Sequence, residues 1–149
     1  MLPTSKLTAV VDSPGVQSNS IGIAFNEKNQ HLAKVAGKSL EAQFETTGGE
    51  FLLVLTDGCP FEETLRIALL SAELESVDEL EYAAAYESLI VKNVKSISQS
   101  KLEIACGNQR HFQVQLFEKP LSLLRGFASK TSRSSISKRK RIALTPKPT

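Results

Sequence analysis

Along most of the chain, apolar and polar side chains alternate with a period of two, the pattern of strands that bury one face. Ile21, Ile23 and Phe25 share a face of the segment Asn19 to Phe25, and Leu40, Ala42 and Phe44 oppose Glu41, Gln43 and Glu45. Lys6 to Val11, rich in β-branched and apolar residues, reads as a strand, and Gln30 to Ala36 as a weaker one. Turn chemistry separates them: Asp12-Ser-Pro-Gly15, Asn26 to Asn29, Gly37, and Thr46-Thr-Gly-Gly49, whose glycines accept positive φ. Glu50 to Leu55 breaks the alternation with a continuous apolar run, which predicts a central strand covered on both faces.

Beyond the loop Thr56 to Glu63 the period is ambiguous. Leu65, Ile67 and Leu69 alternate as a strand does, whereas Phe61, Leu65, Ala68, Leu69 and Ala72 fall at helical spacing behind Pro60. Val77 to Tyr86 is ambiguous too, its alanines favouring a helix. The hairpin meander upstream favours the strand. Ser88 to Ile97 returns to β-branched residues, and Lys101 to Cys106 with His111 to Phe117 forms a clear hairpin around the turn pair Gly107-Asn108. The expected fold is mainly β: an antiparallel sandwich or open barrel of about eight to ten short strands. The alternative is α+β, with one or two helices between residues 60 and 90.

Charge changes the picture at the C-terminal end. Residues 119 to 149 hold nine basic side chains and no acidic one, whereas residues 1 to 118 hold nine basic against sixteen acidic, a formal charge of −7. The chain therefore divides into an acidic strand-rich domain (residues 1–120), a short apolar segment docking on it (121–128) and a basic tail (129–149). The tail has little apolar surface to offset its ordering entropy, so it is expected to be disordered when unbound. Its candidate contacts are Arg133, Lys138, Arg139, Lys140 and Arg141, which could neutralise a phosphate backbone without reading sequence. The chain has no tryptophan and two tyrosines, and no aromatic interleaves the basic run, so base stacking is not expected.

The loop Thr56-Asp-Gly-Cys-Pro-Phe-Glu-Glu63 gathers Asp57, Cys59, Glu62 and Glu63, the second candidate site. Its carboxylates lack the spacing of a calcium loop. Cys59 as a nucleophile would need His31 or His111 beside it, and its acidic neighbours disfavour the thiolate. Cys59 and Cys106 match neither a zinc site nor a redox pair and are expected as thiols. Asp78-Glu79 is an adjacent carboxylate pair that a solvated acidic face would explain, its members pointing to opposite faces if the segment is a strand. No catalytic, cofactor or metal motif is specific enough to assign.

Met1 to Lys6 lacks a charged segment followed by an apolar run, and no stretch is long enough to span a bilayer, so a cytoplasmic location is expected. Three functions remain. The first is a non-enzymatic binding or adaptor protein, its acidic body holding a protein partner and its tail adding electrostatic contacts. The second is a nucleic-acid-binding accessory protein acting through the tail. The third is a small enzyme using the Thr56 to Glu63 loop with Cys59.

Overall fold

The run Phe51–Thr56 is buried at every position, so neither face of this strand can meet water. In the computed structural model it lies inside a central sheet with a second sheet packed on each side. The structure describes residues 1–10, 19–58, 64–83, 89–120, 131–133 and 140–148; for 28–32 and 131–133 it describes the backbone alone.

Thirteen strands are present among these residues: β1 (Leu2–Pro3), β2 (Leu7–Val10), β3 (Ser20–Phe25), β4 (Lys28–Ala36), β5 (Ser39–Glu45), β6 (Phe51–Thr56), β7 (Thr64–Leu70), β8 (Ser76–Ala83), β9 (Val91–Ser98), β10 (Lys101–Cys106), β11 (His111–Leu116), β12 (Thr131–Arg133) and β13 (Ile142–Lys147). They form three open antiparallel sheets. The central sheet has the order β1-β5-β6-β7-β8-β12, one outer sheet β13-β11-β10-β9 and the other β2-β3-β4. Consecutive hairpins make β2–β4, β5–β8 and β9–β11, so each layer is a local meander, and β1, β12 and β13 are added at edges. No helix occurs among the described residues, and both ambiguous segments are strands, β7 and β8. Pairing with β6 decides the matter: an apolar two-faced strand needs a ladder on each side, and Leu65 to Leu70 supplies the second one. No helix of the described residues is long and apolar enough to cross a membrane.

The side-chain parity of the central sheet builds two cores. Leu52, Val54, Leu65, Ile67, Leu69, Leu80 and Tyr82 face the four-stranded sheet and meet Leu102, Ile104, Phe112, Val114, Ile142 and Leu144. Phe51, Leu53, Leu55, Ala68 and Leu70 point the other way and meet Leu7, Ile21, Ile23 and Val35. An edge-to-face aromatic pair joins each gap, Tyr82 with Phe112 at 4.8 Å between ring centroids and Phe25 with Phe51 at 5.7 Å. The side-chain amide of Gln43 on β5 adds a polar stitch, accepting from the Leu7 N–H at 3.0 Å and donating to its carbonyl at 2.9 Å.

Gly37 makes the corner between β4 and β5, where the chain leaves one layer for the next. Its φ is +124°, and a Cβ there would approach Leu55 Cβ to 3.2 Å and the Thr56 carbonyl to 3.3 Å. Its N–H donates to Asn19 in one layer and the Lys38 N–H to Thr56 in the other, both at 2.8 Å. Only glycine meets both demands. The β10–β11 turn differs from its sequence reading by one position: Asn108 and Gln109, both at φ 58°, are the central pair.

The largest departure from expectation lies at the C-terminal end. The basic tail was expected to be disordered, yet Thr131–Arg133 pairs with β8 and Ile142–Lys147 pairs with β11 over six registered residues. Ile142 and Leu144 are fully buried. Ile-Ala-Leu-Thr alternates like any half-buried strand, and the basic run before it and the prolines after it conceal that signal. The apolar segment 121–128 lies outside the described residues, as does 134–139.

Removing residues 140–149 should therefore unfold the protein rather than trim it. Each of Ile142 and Leu144 contributes about 1.5–3 kcal/mol of burial, and a whole ladder goes with them. Thermal unfolding followed by circular dichroism should show a cooperative transition for the full chain and none, or one lowered by more than about 15 °C, for the truncated chain.

Candidate functional site

Of the loop site foreseen between Thr56 and Glu63, the structure describes Asp57 and Gly58; Cys59, Glu62 and Glu63 lie outside the described residues. Asp57 continues β6 and forks onto Arg66 of β7, its Oδ1 accepting from Nε at 3.0 Å and its Oδ2 from Nη2 at 3.3 Å. Arg66 Nη1 donates to Glu81 Oε2 on β8 at 2.5 Å. Burial alone would lower the Arg66 guanidinium; the hydrogen bonds and charge of Asp57, then of Glu81, outweigh it and hold the group above its ordinary value. Asp57 thus serves as a partner of Arg66. Among the described residues no cluster of three or more His, Cys, Asp or Glu side chains could hold a metal ion.

The histidines are also placed in part. The side chain of His31 lies outside the described residues. His111 is on the outer face of the four-stranded sheet, with Nδ1 3.7 Å from Glu103 Oε1. Lys147 Nζ donates to Glu103 Oε2, and this hydrogen bond holds the Glu103 carboxyl below its ordinary value. Cys106 is a buried thiol on the inner face of β10.

The tail cations are divided. The side chains of Arg133, Lys138 and Arg139 lie outside the described residues, and Lys140 is half-buried. Arg141 was a candidate for a partner's phosphate and is instead buried in the body. Its guanidinium donates to Glu50 and, through Nε at 2.8 Å, to the Phe117 carbonyl. Its backbone N–H and that of Ile142 both donate to Asp78 Oδ2, at 2.7 and 2.8 Å. Asp78 is completely buried on the face of β8 that meets the four-stranded sheet. The basic residue expected at a solvated tail is therefore the clasp between two layers.

Glu79, one residue on, faces the other way, as strand geometry requires. The expected solvated face is corrected here: Glu79 is only 7% exposed. Burial pushes its carboxyl above the ordinary value, against the hydrogen bond from Ser76 Oγ at 2.9 Å and the charge of Arg66.

The described surface is concave in more than one place: a cavity of about 480 Å³ is lined by Ser5, Lys6, Phe25, Asn26 and Glu27, and further grooves lie on the side where β5 and β9 come together. There β9, the edge of the four-stranded sheet, lies beside β5 of the central sheet, whose outer neighbour β1 registers only with Phe44 and Glu45, and two grooves lie between them. One, of about 340 Å³, is lined by Glu41 and Ala42 of β5 and by Val91, Lys92, Asn93 and Val94 of β9. The other, of about 520 Å³, is lined by Met1, Leu2, Glu45 to Thr47 and Ser96 to Gln99. Met1 marks the boundary: its amine donates to the Ser98 carbonyl at 3.3 Å and its own carbonyl accepts from Ser96 Oγ at 2.9 Å. Among the described residues the exposed large apolar side chains are Leu2 (75%), Ile97 (51%), Val10 (41%) and Ile90 (39%). Leu2 and Ile97 line the second groove. Sequence reading missed this site because it is made by two strands about fifty residues apart and carries no chemical motif.

Two substitutions test the buried carboxylates. Asp78→Ala leaves two buried N–H groups without an acceptor and should cost about 2–4 kcal/mol in denaturant unfolding, with Asp78→Asn costing less. Glu79→Gln should act oppositely. A carboxyl raised in the folded state favours folding below its unfolded value, and that advantage is lost as pH rises through the folded value. The variant should therefore melt about 1–3 °C higher than the parent near pH 8 and lose this gain towards pH 4, measured by calorimetry.

No family model matches the chain, and neither a curated protein nor a solved structure matches it.

Proposed function

We propose that this protein is a non-enzymatic binding module whose polypeptide partner docks on the side of the sandwich between β5 and β9. One observation carries the reading: the two most exposed large apolar side chains among the described residues, Leu2 and Ile97, line the same groove on that side. Scattered exposed apolar residues need no explanation, whereas their concentration beside concave surface marks an interface. The adjacent sheet edges supply backbone donors and acceptors that a polypeptide can satisfy.

A second reading, contact with nucleic acid, is favoured by a different face. The outer surface of the four-stranded sheet carries Lys95, Lys101, His111 and Lys147 against Glu103. It is weaker, because Lys147 is already committed to Glu103 and, among the described residues, no Phe or Tyr lies on that face to stack a base. Arg141 no longer contributes to it.

Site-specific photocrosslinking in native extract separates the two. A crosslinker at Ile97 should capture a defined protein, insensitive to nuclease, and one at Thr145 on the outer face should not. Ile97→Asp with Leu2→Asp should weaken capture by about tenfold or more at unchanged melting temperature. Capture only at Thr145, abolished by nuclease, would reject the binding-module reading in favour of nucleic acid.

A further inference from the structure

We infer that the partner presents an acidic, extended segment that adds to β9 along Val91 to Lys95 as a further strand of the four-stranded sheet. This rests on the binding-module reading and specifies its ligand.

The edge comes first. β9 terminates its sheet, pairing with β10 alone among the described residues. Met1 occupies the Ser96–Ser98 end of that edge, so among the described residues the stretch left open is Val91 to Lys95. β5 is likewise open where the groove runs. β1 registers only with Phe44 and Glu45, and Thr4 reaches Gln43, which leaves Ser39 to Ala42 without a neighbouring strand on that side among the described residues. Two open edges therefore flank the groove formed by Glu41, Ala42 and Val91 to Val94. A bulge where Ala105 and Cys106 meet Asn93 and Val91 displaces Lys92, which is exposed.

Charge selects the occupant. Lys92 and Lys95 are both exposed on the open stretch. Of the carboxylates lining the grooves, Glu45 is paired with Lys6 at 2.7 Å, while Glu41 accepts from the neutral Thr56 hydroxyl at 2.6 Å and keeps its charge. Glu103, across from Lys95 in register, takes its hydrogen bond from Lys147. Among the described residues neither lysine has a carboxylate at ion-pair distance, so two cations, Lys95 also acting on Glu103 through its charge, face an added strand against the single charge of Glu41. The same lysines argue against a second copy of the chain, because antiparallel pairing of two β9 edges would bring four ammonium groups onto one short ladder.

Strand parity then gives the pattern of the ligand. A residue opposite Lys95 points outward with it and is favoured as Glu or Asp. A residue opposite Val94 points inward over the groove floor beside Ala42 and is favoured as Val or Ile. The recognised segment is an alternation of acidic and β-branched residues over about five positions, the length of the open edge.

The test titrates the full-length, isotope-labelled protein with two capped heptapeptides, one alternating Glu and Val and the other alternating Lys and Val, and follows backbone amide shifts. The Glu peptide should bind about tenfold more tightly than the Lys peptide, with shifts centred on residues 91–95. Raising salt from about 50 to about 300 mM should narrow that gap. Lys92→Glu with Lys95→Glu, both at exposed positions, should reverse the preference. Equal binding of the two peptides, no binding, or shifts centred elsewhere would overturn the inference. So would a dimer in sedimentation that the double variant abolishes, because it would assign the edge to a second copy. Crosslinking at Ile97 that persists while the Glu peptide fails would refute the acidic ligand and leave the binding-module reading intact.

Discussion

A strand that is apolar on both faces forces the architecture of this protein. β6 and the neighbouring part of β7 carry large apolar side chains to both sides of the central sheet, so one covering layer would leave the other side wet. Each face therefore has its own sheet and its own core. Helices cover such a sheet in many proteins, but this chain has the alternating pattern of strands on both flanks. Three meanders stacked face to face are the result, and the four-stranded outer sheet shows alternation of buried and half-exposed positions.

Packing alone does not fix the layers against one another, because apolar contacts are not directional. Polar groups placed inside the gaps do so. Gln43 behaves like a piece of backbone towards β2, and Gly37 permits a turn so close to Leu55 that no other residue fits. Asp78 and Arg141 do the same between the central and four-stranded sheets, with Glu50 completing the set. A buried charge of this kind adds little net stability but specifies one arrangement, since any sliding of the sheets leaves it unpaired.

Much of this was legible in the sequence, for identifiable reasons. The continuous run at Phe51 announced a two-faced strand, and the alternation in Lys101 to Cys106 and His111 to Phe117 announced a half-exposed hairpin. Leu65 to Leu70 stayed ambiguous because short apolar runs satisfy two periods, and only the ladder with β6 decides between them. The strand at Ile142 was hidden because composition was averaged over a basic stretch, and averaging erases a six-residue alternation. Asp78 and Arg141 were read as solvated because charged residues nearly always are. Nothing local marks the exceptions: each is explained only by a partner more than sixty residues away. The groove between β5 and β9 was illegible for the same reason, since it exists only once two meanders have been stacked.

The clasp between Asp78 and Arg141 also constrains the order in which the molecule can be made. A ribosome delivers β8 more than sixty residues before the backbone donors that Asp78 requires. Through that interval the β5–β8 meander exists with its inner apolar face only partly roofed, by β9 to β11 without the strand that completes them. Final closure is thus a late, long-range event, the class of step that loop-closure entropy makes slow. During that interval the nascent chain exposes unpaired sheet edges to its neighbours, so its yield in the cell depends on how promptly residues 141–147 arrive and dock.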